Sequence, residues 1–487
     1  MKLISCLVLV SFHLGIFAQS NFCGTSFHDE AKIIEDQKQY ISSGNQDQAT
    51  QYIPLKVHNV SNDNSIGFFA PWALFETLCT LNEDFAPSGI QFFLDNDFNY
   101  IRNTSWNDHE AFEKGEEMME QSNFPNVVNC YLVTNPAGNC GYFTYSGDAV
   151  ALGKNCLGKQ SHTWAHELGH YFSLPHTFFG WEGIKYSNSK KTQDFQSQVF
   201  TSIENVERDF CKNQADRFCD THPDYISNRW TCAPDGFSGN ILRDTRDSTF
   251  RADGSLFMSY SNDDCMNRFS SDQMVAMEKN INGQRSYLKR TNVLPKFIEK
   301  TGIELHFPID SQVVSTSKIL ISWEPKANAK YYIIQISRTE NFTVVIKNLL
   351  LTNPYVEIDS LIQGKNYWWR VRAFSEFDFC GAESAPGIFK TKAIVNLENQ
   401  LYDTELALIP NPASSFNRIQ LDVNNLFTEN LKVEIRNLNA QLISINTPEI
   451  IGSKQILQLN YMPDGVYIIH LSDKIHAIAK KLIIKNK

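Results

Sequence analysis

The run HELGHYFSLPH, from His166 to His176, places three imidazoles and one carboxylate at the spacing a hydrolytic zinc site requires. His166 and His170 stand at i and i+4, so on a helix of about 3.6 residues per turn both rings project from one face. Two metal ligands then come from one rigid element. Glu167 follows the first ligand; at that position of an H-E-x-x-H helix a glutamate polarises a water and acts as general base without binding the metal. Pro175 cannot continue a regular helix, so the chain turns and His176 is free to complete a tripod. A bare H-E-x-x-H is a weak signal, because helical histidines are commonly surface or core residues. The third histidine, six positions after the second, is a separate requirement and carries the zinc assignment.

Such a helix needs a sheet behind it and a second segment beneath the metal. Short runs of alternating polarity at 53–58, 89–94, 126–133 and 141–145 read as strands of a mixed sheet. Residues 109–121, with Met118 and Met119 at helical spacing, read as a backing helix. The run from Gly141 to Tyr145 is either the edge strand that receives an extended peptide by strand addition or an interior strand. Downstream, SLFMSYSNDDCMNRFSSDQM contains Met258, Ser259 and Tyr260; alone, a methionine in an apolar run is ordinary core packing.

Taken together, HELGHYFSLPHTF and FMSYSNDDCMNRFSSDQ resemble the pappalysin, or cytophagalysin, family of metzincin zinc endopeptidases over residues 55–295. The resemblance extends to the HTF at His176, Thr177 and Phe178, the CDTHP from Cys219 to Pro223, and Asp264, Cys265 and Phe269. It implies an α+β metzincin catalytic domain, a mixed sheet plus zinc helix, with Zn2+ held by His166, His170 and His176 and with Glu167 as base. It further implies that Met258 is the methionine turn flooring the metal and that Tyr260 donates a hydrogen bond to the developing oxyanion. Structural Ca2+ near the CDTHP segment is also implied, with Asp216, Asp220 and Asp224 as oxygen donors. Ser173 departs from the pattern: the clan has glycine there, at a turn with positive φ, where serine costs on the order of 1 kcal/mol.

The chain has 487 residues, room for about three domains. Its 42% hydrophobic and 20% charged content is ordinary for globular protein. A net charge of −10 and a pI near 5.7 leave no basic footprint, which argues against nucleic acid and anionic membrane surfaces as partners. Lys2, the apolar run from Leu3 to Phe17 and the small Ala18 read as a secretory signal peptide over residues 1–18. His13 and Gly15 interrupt that run, and no later stretch reaches the roughly twenty apolar residues of a span, so no transmembrane anchor is expected. Cys6 lies near the start of the apolar run instead of following it, against a lipoprotein signal.

Export makes the eleven cysteines interpretable, since disulfides persist in oxidising compartments. Cys211, Cys219, Cys232 and Cys265 allow three pairings; the resemblance favours Cys211 with Cys232 and Cys219 with Cys265, tying the loop after the zinc helix to the methionine turn. No cysteine pair has CxxC spacing, which weakens a second metal site, and Cys130, Cys140 and Cys156 cannot be paired from sequence. Cys23 lies in NFCGT, within a pro-segment over 19–54. Some members of the family are zymogens in which a Cys-Gly-Thr segment puts a thiolate on the zinc, so Cys23 is either such a cysteine switch or half of a structural disulfide.

Beyond residue 296 the patterning becomes pure β. Trp323 in ILISWEP, YYIIQIS from Tyr331 and YWWRVRAF from Tyr367 resemble a fibronectin type III sandwich over 303–395, a spacer or binding module without visible chemistry. Residues 400–487, with IPNPASS from Ile409, the Asp464-Gly465 turn before VYIIHL and the terminal AKKLIIKNK, look like the C-terminal sorting domain of the type IX secretion system; a second adhesive sandwich is the alternative. The expected architecture is therefore the metzincin domain followed by two all-β sandwich domains. The expected activity is a secreted or cell-surface zinc endopeptidase acting on proteins or peptides and engaging secretion machinery through its tail. The alternative is a catalytically idle extracellular binding protein on the same scaffold, against which the retention of Glu167 argues.

Overall fold

The computed structural model describes residues 21–37, 49–187, 203–290, 293–392, 406–422, 431–451, 454–473 and 477–486; the expected signal peptide lies outside them. They form two compact units, one from residues 21–37, 56–68 and 98–288, the other from 49–55, 69–97 and 289 onward.

The elements preceding the histidine helix are β1 (Asn21–Cys23), α1 (Phe27–Gln37), β2 (Gln51–Ser61), α2 (Pro71–Phe85), β3 (Ile90–Leu94), β4 (Asn99–Arg102), α3 (Phe112–Ser122), β5 (Val128–Val133), β6 (Asn139–Thr144) and β7 (Ala149–Gly153). In the first unit the sheet runs β1-β6-β7-β5-β2, with β4 also on β2. It is mixed: β1 lies parallel to β6, β6 antiparallel to β7, and β7 parallel to β5. Every residue of β5 and β7 is buried, as strands covered on both faces must be, so the alternation read at 126–133 does not mark an exposed face: Asn129 of VNCYLV is buried too, bonded to His58 and Phe124. Helix α3 presses Met118 and Met119 onto Tyr131, Val133 and Ala151, the backing role its spacing predicts.

The histidine helix, α4 (Thr163–Tyr171), is buried at every residue. It ends in a Schellman arrangement, with Leu174 N–H donating to the Gly169 carbonyl (2.9 Å) and Ser173 N–H to the His170 carbonyl (2.9 Å). Ser173 takes the left-handed conformation this requires, φ 69°. Its Oγ accepts from Asn280 Nδ2 at 2.6 Å, on α5 (Ser271–Asn282), a helix that opens with a Ser270–Gln273 capping box.

The disulfides correct the pairing the resemblance favoured. Cys211 bonds Cys219 and Cys232 bonds Cys265. The first pair closes a short loop, separation 8, and the second ties the 230s loop to the segment just after Met258. Cys140 bonds Cys156, and Cys23 and Cys130 are unpaired.

The second unit differs from the expected boundary, because 69–97 belongs with the β domains. Phe75 of α2 packs on Phe374 with ring centroids 4.0 Å apart, and Cys79 bonds Cys380 across a separation of 301 residues. The first sandwich sets a three-stranded sheet (Leu305–Phe307, Ile319–Trp323, Tyr355–Ile358) beside a larger one centred on Asn366–Phe374 and Tyr331–Ser337, around Trp323, Ile334 and Trp369. The second has two four-stranded sheets around Ile419, Val433, Ile469 and Leu482. Among the described residues no helix is long and apolar enough to cross a membrane.

Candidate metal centre

Helix α4 aims His166 and His170 toward one point, and the turn through Ser173 swings His176 round to meet them. The Nε2 of His176 lies 3.2 Å from the Nε2 of each of the other two. Each outer nitrogen faces an acceptor: His166 Nδ1 meets the Phe257 carbonyl (2.6 Å), His170 Nδ1 the Leu174 carbonyl (2.8 Å), and His176 Nδ1 the Glu30 carboxylate. Carbonyls only accept, so the protons of His166 and His170 sit on Nδ1 and their Nε2 lone pairs point at the Nε2 of His176; an ionised Glu30 beside His176 Nδ1 favours the same tautomer there. Unrelieved, that arrangement is repulsive; a cation relieves it. Three nitrogens about 2.1 Å from a tetrahedral zinc stand roughly 3.4 Å apart, close to the spacing present here. Burial pushes His166 and His170 well below the usual imidazole range and His176 down to about 3, keeping all three in the neutral, metal-binding form.

Met258 packs directly under α4. A Cβ on Gly169 would meet its Sδ at 2.3 Å, so only glycine lets Met258 approach the helix this closely. Asp224 fixes that register from the side: its Oδ2 accepts from Thr177 (2.8 Å), next to His176, and from Ser259 (3.2 Å), next to Met258. The Tyr260 ring stands edge-on to His176 with centroids 4.8 Å apart. Glu167 is fully buried, and burial raises its carboxyl well above the usual range despite hydrogen bonds from Cys23 and Thr25. Its Oε1 has no hydrogen-bond partner among the described residues. Gly141 of β6 leaves room for it, since a Cβ there would fall 2.7 Å from Glu167 Cγ.

The N-terminal segment fills the cleft. Cys23 Sγ lies 3.6 Å from His170 Nε2 and 3.5 Å from Glu167 Oε2, and Cys23, His166, His170 and His176 together form a group that could hold a metal ion. Thr25 Oγ1 donates to Glu167 Oε2 (3.4 Å) and accepts from Phe143 N–H (2.9 Å). Tyr260 OH donates to the Cys23 carbonyl (3.3 Å). Strand β6 is interior, between β7 and the N-terminal strand β1, as the second of the two sequence-based options has it.

Among the described residues the three aspartates expected for calcium form no group that could hold a metal ion. Asp220 caps α5 through Ser270 Oγ (2.8 Å) and Asp272 N–H (2.8 Å), and Asp224 is spent on Thr177 and Ser259. Asp216 remains, buried beside Glu204, with Asp216 Oδ2 and both Glu204 carboxylate oxygens unpartnered among the described residues. Burial raises Asp216 well above the usual range and Glu204 to about 8. Sequence reasoning missed Glu204, Glu30 and Glu182. Acids in loops and amphipathic helices read as surface residues, and only the fold turns these three inward.

A family model, the secretion system C-terminal sorting domain, matches residues 407–485. An extracellular metalloprotease of Pyricularia oryzae is 29% identical over 158 residues, 27% of this chain and 53% of that protein. Another, of Colletotrichum graminicola, is 26% identical over 189 residues, 34% of this chain and 67% of its own length. The chain thus spans between half and two thirds of these relatives. Among solved structures, the fn3 domain of human collagen alpha-1(XX) chain is similar at 16% identity, covering 21% of this chain and 96% of that one, TM-score 0.17. The sorting domain marks this chain as secreted or displayed at the cell surface.

Proposed function

We propose that this chain is the latent precursor of a secreted zinc endopeptidase of the pappalysin-like metzincin type. One observation carries the reading: three buried Nε2 atoms converge while each Nδ1 faces an oxygen, of a carbonyl in His166 and His170 and of a carboxylate in His176. Extracellular metalloprotease relatives support the same reaction class.

His166, His170 and His176 would hold Zn2+, which when bound acidifies water and polarises a peptide carbonyl. Glu167, with Oε1 unpartnered, accepts the proton of the attacking water and passes it to the leaving amine; its raised affinity for a proton suits both transfers. Tyr260, released from the Cys23 carbonyl when the pro-segment departs, donates its O–H to the oxyanion. Met258 and Asp224 keep the third ligand in register with that phenol. Cys23 is the cysteine switch: its thiol stands at the metal cluster, and Thr25 occupies the base. Strand β1 runs parallel to β6 and takes the edge a peptide substrate would use. Glu204 and Asp216, two buried carboxylates with free oxygens, suit structural Ca2+. The tail serves export through the type IX machinery, and mass spectrometry of exported protein finding an intact C-terminus would favour a retained adhesive domain.

The deciding experiment compares the processed chain with its Glu167→Ala variant on an unfolded protein substrate, with and without a zinc chelator. Loss of a general base costs about 10²–10⁴-fold in rate while zinc content stays unchanged. Equal cleavage by the variant would overturn the mechanism and leave the idle binding protein as the better reading.

A further inference from the structure

Two of the three histidine ligands are oriented by backbone carbonyls, Phe257 and Leu174, that belong permanently to the fold. The third is oriented by Glu30, on α1 of the segment that must leave. Processing therefore strips His176 of its acceptor. A second carboxylate waits behind the first: Glu182 Oε1 lies 4.0 Å from His176 Nδ1. That oxygen is buried, and the Glu182 carboxyl meets the Glu30 carboxyl beside the ring. The other oxygen is anchored by the Gly180 N–H at 2.8 Å, and tight turns from His176 to Phe179 and from Phe178 to Trp181 fix the short path between ligand and carboxylate. Glu30, His176 and Glu182 form one cluster, with Glu30 occupying the position nearest the ring.

We propose that Glu182 is the positioning residue for His176 in the processed enzyme, taking over the place beside Nδ1 that the Glu30 carboxylate holds in the precursor. The inference rests on the zinc reading above. A carboxylate on the outer nitrogen fixes the ring's tautomer and orientation and strengthens its partner nitrogen as a ligand, and losing such a partner typically costs 10–100-fold in metal affinity. The precursor thus assembles its metal site with a borrowed carboxylate and keeps one of its own in reserve.

The test is zinc affinity of the full-length chain by chelator competition, comparing wild type with Glu30→Met, Glu182→Met and the double variant. Methionine has similar length and offers no oxygen acceptor. Each single variant should stay near wild type, because the other carboxylate serves, and the double should lose about 10–100-fold. Restoring only the acceptor, in Glu30→Met/Glu182→Gln, should recover most of that loss, which a merely structural role would not do. A double variant that binds zinc as tightly as the singles overturns the handover while leaving the zinc site intact. Should the double variant not fold, Glu182→Met in the processed chain, which lacks Glu30, decides: a loss of about 10–100-fold in zinc affinity supports the handover, and wild-type affinity overturns it. A wild-type chain that takes up no zinc overturns both this inference and the function it rests on.

Discussion

The two units bury different things. At the heart of the first are His166, His170, His176, Glu167, Glu30, Asp216 and Asp224, all nearly inaccessible. At the heart of the second are Trp323, Ile334, Trp369, Ile419, Val433 and Leu482. Among the described residues, ligand-bearing side chains of the second unit converge only where Glu83 meets the Cys79–Cys380 disulfide. Burying a polar group without a partner costs several kcal/mol, so a fold keeps such groups only where something else repays them. The second unit also buries Arg372, Asp378 and His470, but these do not join a converging group of metal-binding side chains among the described residues, so it is convergence and not burial alone that sets the first unit apart. Buried acids and imidazoles that converge therefore locate function here more sharply than any surface feature does.

This contrast predicts that damage in one unit leaves the other's property untouched. The largest effect is Trp323→Ala. The side chain is fully buried in the first sandwich, and truncating such a tryptophan costs about 3–5 kcal/mol. Amide exchange in the strands Ile319–Trp323 and Tyr331–Ser337 should accelerate accordingly, with zinc content unchanged. Loss of zinc in that variant would break the comparison. Next in size is Cys23→Ser. Removing a thiol placed 3.6 Å from His170 Nε2 forfeits an interaction of about 3 kcal/mol, on the order of 100-fold in the activity of the unprocessed chain. Amide exchange in the sandwiches should not move. A Cys23→Ser precursor as latent as wild type would remove the switch from the reading.

What the sequence revealed follows the same division. The helix, the turn and the meeting of three histidines were legible because i, i+4 spacing and a proline restrict where imidazoles can point, and several strands were legible from period-2 alternation. The cysteine pairing was not: Cys211 to Cys219 and Cys232 to Cys265 depend on how two irregular loops fold, and no periodicity encodes that. Nor were Glu30 and Glu182, whose carboxylates acquire meaning only when α1 lies over His176. The membership of 69–97 in the second unit escaped because amphipathic helices and strands announce that they have an apolar face, not which partner covers it.

Ser173 gives the smallest effect and the finest test, because it combines both kinds of burial in one residue. Its φ of 69° carries about 1 kcal/mol of backbone strain that glycine would not. Its Oγ accepts from Asn280 Nδ2 at 2.6 Å, a bond worth about 1 kcal/mol that glycine cannot make. Ser173→Gly should therefore change stability by less than about 1 kcal/mol, whereas Ser173→Ala loses the bond and keeps the strain. Denaturant unfolding of the two variants should rank Ala below Gly by about 1 kcal/mol, the backbone contribution alone. If Ala proved as stable as Gly, the strain would be negligible and serine at this turn would stand on its hydrogen bond to Asn280.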